Sequence, residues 1–80
     1  MDKLNLIVTS PKGVLLDETV GSVKLKSSDG YFGVLPGALH TIALIVESDV
    51  VYEKGGGSFS FPVKGGFAEV KDGTVTVITE

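Results

Sequence analysis

The residues that could do chemistry here are few. His40 is the only histidine, and there is no cysteine. A metal site of imidazoles and thiolates needs several such ligands, so neither a structural nor a catalytic zinc is expected. As the base of a Ser–His–acid triad, His40 would need a nucleophile elbow, and no Gly-x-Ser-x-Gly occurs. A polar residue at a strand entry or an interface is the expected role. Asp17 with Glu18, and Glu47 with Asp49, are candidate carboxylate pairs. Paired carboxylates run glycoside hydrolysis, but these flank turns, and 80 residues leave no deep cleft to raise a carboxyl pKa. Lys54-Gly55-Gly56-Gly57 is rich in glycine yet lacks the Gly-x-x-x-x-Gly-Lys-Ser/Thr spacing of a phosphate loop. A hairpin tip is the simpler reading. No catalytic residue, cofactor or metal is expected.

The elements that would carry these residues are short and alternating. Leu4, Leu6 and Val8 share one face of an opening strand, with Asn5, Ile7 and Thr9 on the other. Pro11-Lys12-Gly13 is turn chemistry, and Val14 to Asp17 reads as a short second strand. Ser22 to Lys26 has period two, Val23 and Leu25 inward and the lysines outward. Tyr31 to Leu35 is a short apolar strand stopped by Pro36-Gly37. Leu39 to Val46 is nearly all apolar, which suits a strand buried on both faces or a short helix; the β-branched Thr41, Ile42, Ile45 and Val46 favour a strand. Beyond it, a three-residue loop between Asp49–Lys54 and Ser58–Val63 would set Val51 opposite Phe61. Pro62 cannot donate to a ladder, which consigns its strand to an edge or a bulge. Asp72-Gly73 is the strongest hairpin signal, and its register pairs Val70 with Val75, Ala68 with Val77 and Phe67 with Ile78. No amphipathic helix is evident. The fold class is all-β, an antiparallel β-sandwich or flattened barrel of about 8–10 short strands.

Composition bounds the function further. At 80 residues the chain is one domain, 1–80, with a thin core. The 42% hydrophobic and 21% charged content is that of a globular chain. Seven lysines and no arginine face ten acids, for a net charge of −3. Guanidinium forks supply much phosphate and base recognition, so nucleic acid is not an expected partner. No apolar run approaches the roughly 20 residues of a membrane span, and the start Met1-Asp2-Lys3-Leu4 lacks a secretion leader. A cytoplasmic location, or one facing the cytoplasm on something larger, is expected.

One cluster stands apart. Gly30-Tyr31-Phe32-Gly33-Val34-Leu35-Pro36-Gly37 sets three glycines and a proline among large apolar side chains. It reads either as core plus turn or as part of a docking surface.

That cluster also carries a resemblance. It matches the G-x-F-G-V-L-P-G run of the epsilon subunit of F-type ATP synthase, in its N-terminal β-sandwich domain. Leu6-Ile7-Val8-Thr9 leading into Pro11-Lys12-Gly13 is similar to that family's opening strand and turn. Val20 to Leu25 resembles its V-x-S-V-x-L, Gly65-Gly66-Phe67-Ala68-Glu69-Val70 its G-G-F-x-E-V, and Thr74 to Ile78 its closing strand. Each motif alone is weak; in order and at this spacing from Leu4 to Ile78 they are specific.

The resemblance implies a non-catalytic rotor subunit of a proton- or sodium-translocating synthase. Such a sandwich joins the gamma subunit to the polar loops of the c-ring, so that rotation is coupled to ATP synthesis; it meets the membrane only through the complex, as a peripheral part on the cytoplasmic face. By position, Ser28, Asp29, Gly30 and Tyr31 form the loop that faces the c-ring, with Asp29 set to meet basic groups there. Leu35, Pro36, Gly37, Ala38, Leu39, His40 and Ile42 form the gamma-facing strip. The family usually has histidine directly after L-P-G, where this chain has Ala38 and then His40 two positions on. Many members continue into a C-terminal helical hairpin that inhibits ATP hydrolysis. This chain stops at Glu80, and no such hairpin and no such inhibition are expected of it. A rival reading, a lipoyl- or biotinyl-carrier domain, would present a lysine at a hairpin tip; Lys54 and Lys71 sit at such tips, but their neighbours fit neither D-K-A nor M-K-M. A free-standing sugar- or peptide-binding sandwich would want an exposed aromatic row, for which only Tyr31, Phe32 and Tyr52 offer themselves.

Overall fold

The computed structural model describes residues 3–80, so Met1 and Asp2 of the Met1-Asp2-Lys3-Leu4 start lie outside the described residues. Nine strands run in order: β1 (Leu4–Ser10), β2 (Gly13–Val20), β3 (Ser22–Ser27), β4 (Gly30–Val34), β5 (Thr41–Ile45), β6 (Ser48–Lys54), β7 (Gly57–Val63), β8 (Gly66–Lys71) and β9 (Thr74–Thr79). They form a five-stranded sheet, β2-β1-β9-β8-β5, packed on a four-stranded sheet, β4-β3-β6-β7. The all-β sandwich expected from the punctuation is what forms.

Alternation decides which side chains go between the sheets. Leu4, Leu6 and Val8 of β1, Val23 and Leu25 of β3, Val50 and Tyr52 of β6, Ala68 and Val70 of β8, and Val75 and Val77 of β9 meet in one core. Leu6, Val8, Leu25, Val75 and Val77 are 0% exposed. Burying a Leu or Val side chain stabilises by about 1.5–3 kcal/mol, which concentrates the stability of this small body in these residues.

Two hairpins are closed by two-residue turns with positive φ. Asp72 (φ 52°) and Gly73 (φ 77°) join β8 to β9, and the register is the expected one: Val70 opposite Val75, Ala68 opposite Val77, Phe67 opposite Ile78. Gly55 (φ 59°) and Gly56 (φ 82°) join β6 to β7. That loop is one residue shorter than expected, so Val50, not Val51, lies opposite Phe61. With two glycines free to take positive φ, the tight turn that matches strand twist wins over a three-residue loop. Pro62 lies on β7, at a sheet edge, as its missing donor requires.

Three further differences come from tertiary pairing. The second strand runs to Val20 rather than Asp17, because it pairs with β1 along its whole length around a bulge between Val8 and Thr9. One pairing, β1 with β9, is parallel, joining the first strand to the last. The Leu39–Val46 stretch, expected to be buried on both faces, gives β5, which pairs with β8 alone and ends its sheet. Ile45 is buried there, whereas Ile42 and Leu44 are 66% and 67% exposed.

The β7–β8 connection is tight. At Gly66 (φ 140°) a Cβ would lie 1.9 Å from the Ile78 carbonyl oxygen of β9, a position only glycine can hold.

Candidate docking surface

The two segments singled out in the sequence separate to the two ends of the sandwich. Ser28 and Asp29 are exposed in the β3–β4 turn, where the Ser27 hydroxyl accepts from the Asp29 N–H at 3.3 Å and donates to the Gly30 carbonyl, also at 3.3 Å. Tyr31, at the start of β4 and opposite Lys26, is half exposed, and the Lys26 ammonium stands 5.5 Å from its ring centroid. That cation–π contact orders the aromatic ring beside the turn. The same end holds the β5–β6 turn, because the Val46 N–H donates to the Lys26 carbonyl at 3.0 Å.

Leu35 to His40 cross between the sheets at the opposite end. Val34, just before them, pairs with Val23, two residues from the Gly21 crossing. Leu35 is 65% exposed and Leu39 85%, and Gly37, Ala38 and His40 are exposed, while Pro36 is half-buried. The Ala38 N–H closes a turn onto the Leu35 carbonyl at 3.1 Å. His40 Nε2 lies 3.1 Å from Glu69 Oε2, tying the loop to β8. The strip then returns along β5 through Ile42.

Register extends that strip across the sheet. On the outward face, Leu44 lies opposite Phe67, Phe67 opposite Ile78, and Ile78 beside Thr9, which faces Val14. Phe67 is 52% exposed and Ile78 50%. Next to this row runs a second, Ile42–Glu69–Thr76–Ile7. An apolar band therefore crosses the outer face of the five-stranded sheet, continuous with Leu39 and Ile42. Sequence reasoning named Leu35, Leu39 and Ile42 but missed Leu44, Phe67, Ile78 and Val14. The Phe67–Ile78 pairing was visible in the hairpin register; its outward direction was the overlooked signal, since Ala68 and Val70 claim the inner face.

Among the described residues no group of three or more His, Cys, Asp or Glu could hold a metal ion. Glu47 and Asp49 line an open depression with Lys64, and Asp17 projects from the outer face while Glu18 reaches Lys54 across the sandwich margin. That ion pair joins β2 to β6 and holds the Lys54 ammonium above its ordinary pKa, through the hydrogen bond and charge of Glu18. Beside it Tyr52 and Phe59 stack, ring centroids 5.6 Å apart. No helix among the described residues is long and apolar enough to cross a membrane.

Nine strands in two packed sheets, with an apolar band across the outer face of the larger one, define a β-sandwich domain. The chain belongs to the family described as ATP synthase, Delta/Epsilon chain, beta-sandwich domain, whose model matches residues 3–80. It is 37% identical over 78 residues to the ATP synthase epsilon chain of Leptospira borgpetersenii serovar Hardjo-bovis (strain JB197), covering 98% of this chain and 61% of that one. The epsilon chain of Nitratidesulfovibrio vulgaris (strain DSM 19637 / Miyazaki F) is 35% identical over 77 residues, covering 96% and 58%. The chain thus spans about three fifths of the length of these relatives. Among solved structures, a chain of the Euglena gracilis mitochondrial ATP synthase, OSCP/F1/c-ring in rotational state 1, superposes with a TM-score of 0.90 at 28% identity, covering 99% of this chain and 51% of that one. A chain of the Tetrahymena thermophila mitochondrial ATP synthase central stalk/c-ring shares the fold, with a TM-score of 0.76 at 12% identity, covering 96% and 63%. Family membership sets aside the carrier-domain reading of Lys54 and Lys71.

Proposed function

We propose that this chain, residues 1–80 acting as one unit, is a non-catalytic rotor component of an F-type ATP synthase. It docks the gamma subunit onto the c-ring, so that rotation driven by proton or sodium flow is coupled to ATP synthesis. The observation that carries the reading is the apolar band of Leu39, Ile42, Leu44, Phe67 and Ile78 on the outer face of the sandwich. Contiguous exposed apolar surface on so small a body marks a place where another protein sits. Gamma takes the band and the loop from Leu35 through Ile42; the opposite end, with Ser28, Asp29, Gly30 and Tyr31, takes the polar loops of the c-ring. The separation of the two segments supports this, because a body joining two partners needs two ends. A sandwich closed by a continuous core is also stiff enough to carry torque between them. Its location is then peripheral, at the cytoplasmic face of the membrane and only as part of the complex.

Co-purification with the gamma subunit tests the reading. Wild type binds, and Ile42→Asp or Leu35→Asp binds weakly while keeping the β-sheet circular-dichroism signal. Full binding by both folded variants would move the gamma contact elsewhere. Asp29→Asn tests the other end: it lowers affinity for c-ring in low salt and leaves gamma binding unchanged.

A further inference from the structure

Of the four strands that end the sheets, β5 alone has neither bulge, charge, proline nor glycine. β2 carries the bulge beside Leu15 and the acids Asp17 and Glu18. β7 carries Pro62, and β4 has glycine at two of its five positions. Bulges, charges and proline are what stop an edge from recruiting another strand, and glycine weakens a strand and leaves an incoming one no side chain to pack on. β5, Thr41-Ile42-Ala43-Leu44-Ile45, has none of them.

Its free backbone groups can be assigned. In a two-residue hairpin the residues flanking the turn form a hydrogen-bonded pair, and such pairs alternate along the ladder. Lys71 and Thr74 flank the β8–β9 turn, so Glu69 and Phe67 bond to β9 while Val70, Ala68 and Gly66 turn their N–H and C=O toward β5. Their partners are Thr41, Ala43 and Ile45. Ile42 and Leu44 therefore direct their N–H and C=O away from β8. Val46, next in the same alternation, does so too, and its N–H reaches the Lys26 carbonyl in the other sheet. Ile42 and Leu44 thus combine an unpaired backbone edge with side chains exposed on the apolar face.

We propose that β5 is extended by an incoming strand of the gamma subunit, which pairs with Ile42 and Leu44 and lays alternate apolar side chains along Ile42, Leu44 and Phe67. This rests on the gamma-docking reading above and specifies how the contact is made. The area required favours it. The molecule exposes 4987 Å² in all, and a stable interface takes about 800 Å² from each side. An apolar patch alone typically offers about 300–600 Å², so the occupant must also cover the edge and the Leu35–Leu39 loop. A second copy paired about Ala43 would bury Ile42 and Leu44 against each other and leave Leu35 and Leu39 in water. An extended segment of a larger partner covers both.

Amide hydrogen exchange on the full chain, free and bound to the gamma subunit, tests this. In the free chain the Ile42 and Leu44 amides exchange fast and those of Thr41, Ala43 and Ile45 slowly; in the complex Ile42 and Leu44 slow by about 100-fold or more. Leu44→Pro removes an edge donor that β8 does not use, so the sandwich survives and gamma affinity falls by about tenfold or more. Gamma binding with Ile42 and Leu44 still exchanging fast, or undiminished by Leu44→Pro, overturns strand addition and leaves the docking reading standing. Absence of any gamma binding by wild type overturns both. Protection of the same two amides in the chain alone, with a dimer mass, assigns the edge to a second copy and also overturns the proposal.

Discussion

Leu44 lies directly opposite Phe67 across β5 and β8, and both side chains point to solvent, 67% and 52% exposed. Facing cross-strand apolar pairs normally mark a buried sheet face. Here the inner face of the same strands is already occupied by Ala43 and Ala68, which meet across the ladder and pack on the core. The pair therefore adds to the fold none of the stability that burial would supply.

Replacing either member should separate binding from folding. Phe67→Asp leaves the thermal midpoint within a few degrees of wild type and weakens gamma binding by about 2 kcal/mol, roughly 30-fold. Titration calorimetry beside a melting curve measures both. A variant that unfolds while still binding when folded would remove Phe67 from the interface.

Leucines of the two kinds should behave oppositely. Leu25→Ala empties a 0% exposed position and is expected to cost about 3 kcal/mol of stability, whereas Leu39→Ala, at an 85% exposed site, costs less than about 0.5 kcal/mol. Urea denaturation followed by circular dichroism gives both values.

Gly66→Ala is a backbone test. The added Cβ meets the Ile78 carbonyl oxygen at 1.9 Å, and β9 can yield only by breaking its pairing with β8. A loss of about 3 kcal/mol or more is expected, against a near-neutral effect at Gly33, which has open space at its Cβ position.

The Lys54–Glu18 pair has a pH signature. The folded state raises the Lys54 pKa above the ordinary 10.5, so its stabilising effect is complete below that value and disappears as pH climbs through the higher folded one. Lys54→Met should lower the melting temperature slightly at pH 8 and not at all once wild-type Lys54 has lost its proton. Glu18→Gln should reproduce this, and the double variant should add nothing to either single one. High salt should shrink the effect, since the pair is surface-exposed.

Much of this body was legible in the chain itself. The alternation of Leu4-Leu6-Val8 and Val23-Leu25, the turn at Asp72-Gly73 and the edge position of Pro62 are local consequences of side-chain direction, φ preference and a missing donor. The order and spacing of its motifs from Leu4 to Ile78 also mark the family. What local chemistry could not decide was which strand lies beside which. Leu39–Val46 is apolar on both faces, and such a run is the same string of residues whether it is sandwiched in a sheet or left at its margin. Only the pairing of β5 with β8 alone, in this register, set Ile42 and Leu44 outward beside Phe67 and Ile78. Alternation and turn type act over a few residues and are written in sequence; adjacency between residues dozens apart is a property of the whole packed body, and it is adjacency that made the apolar outer face.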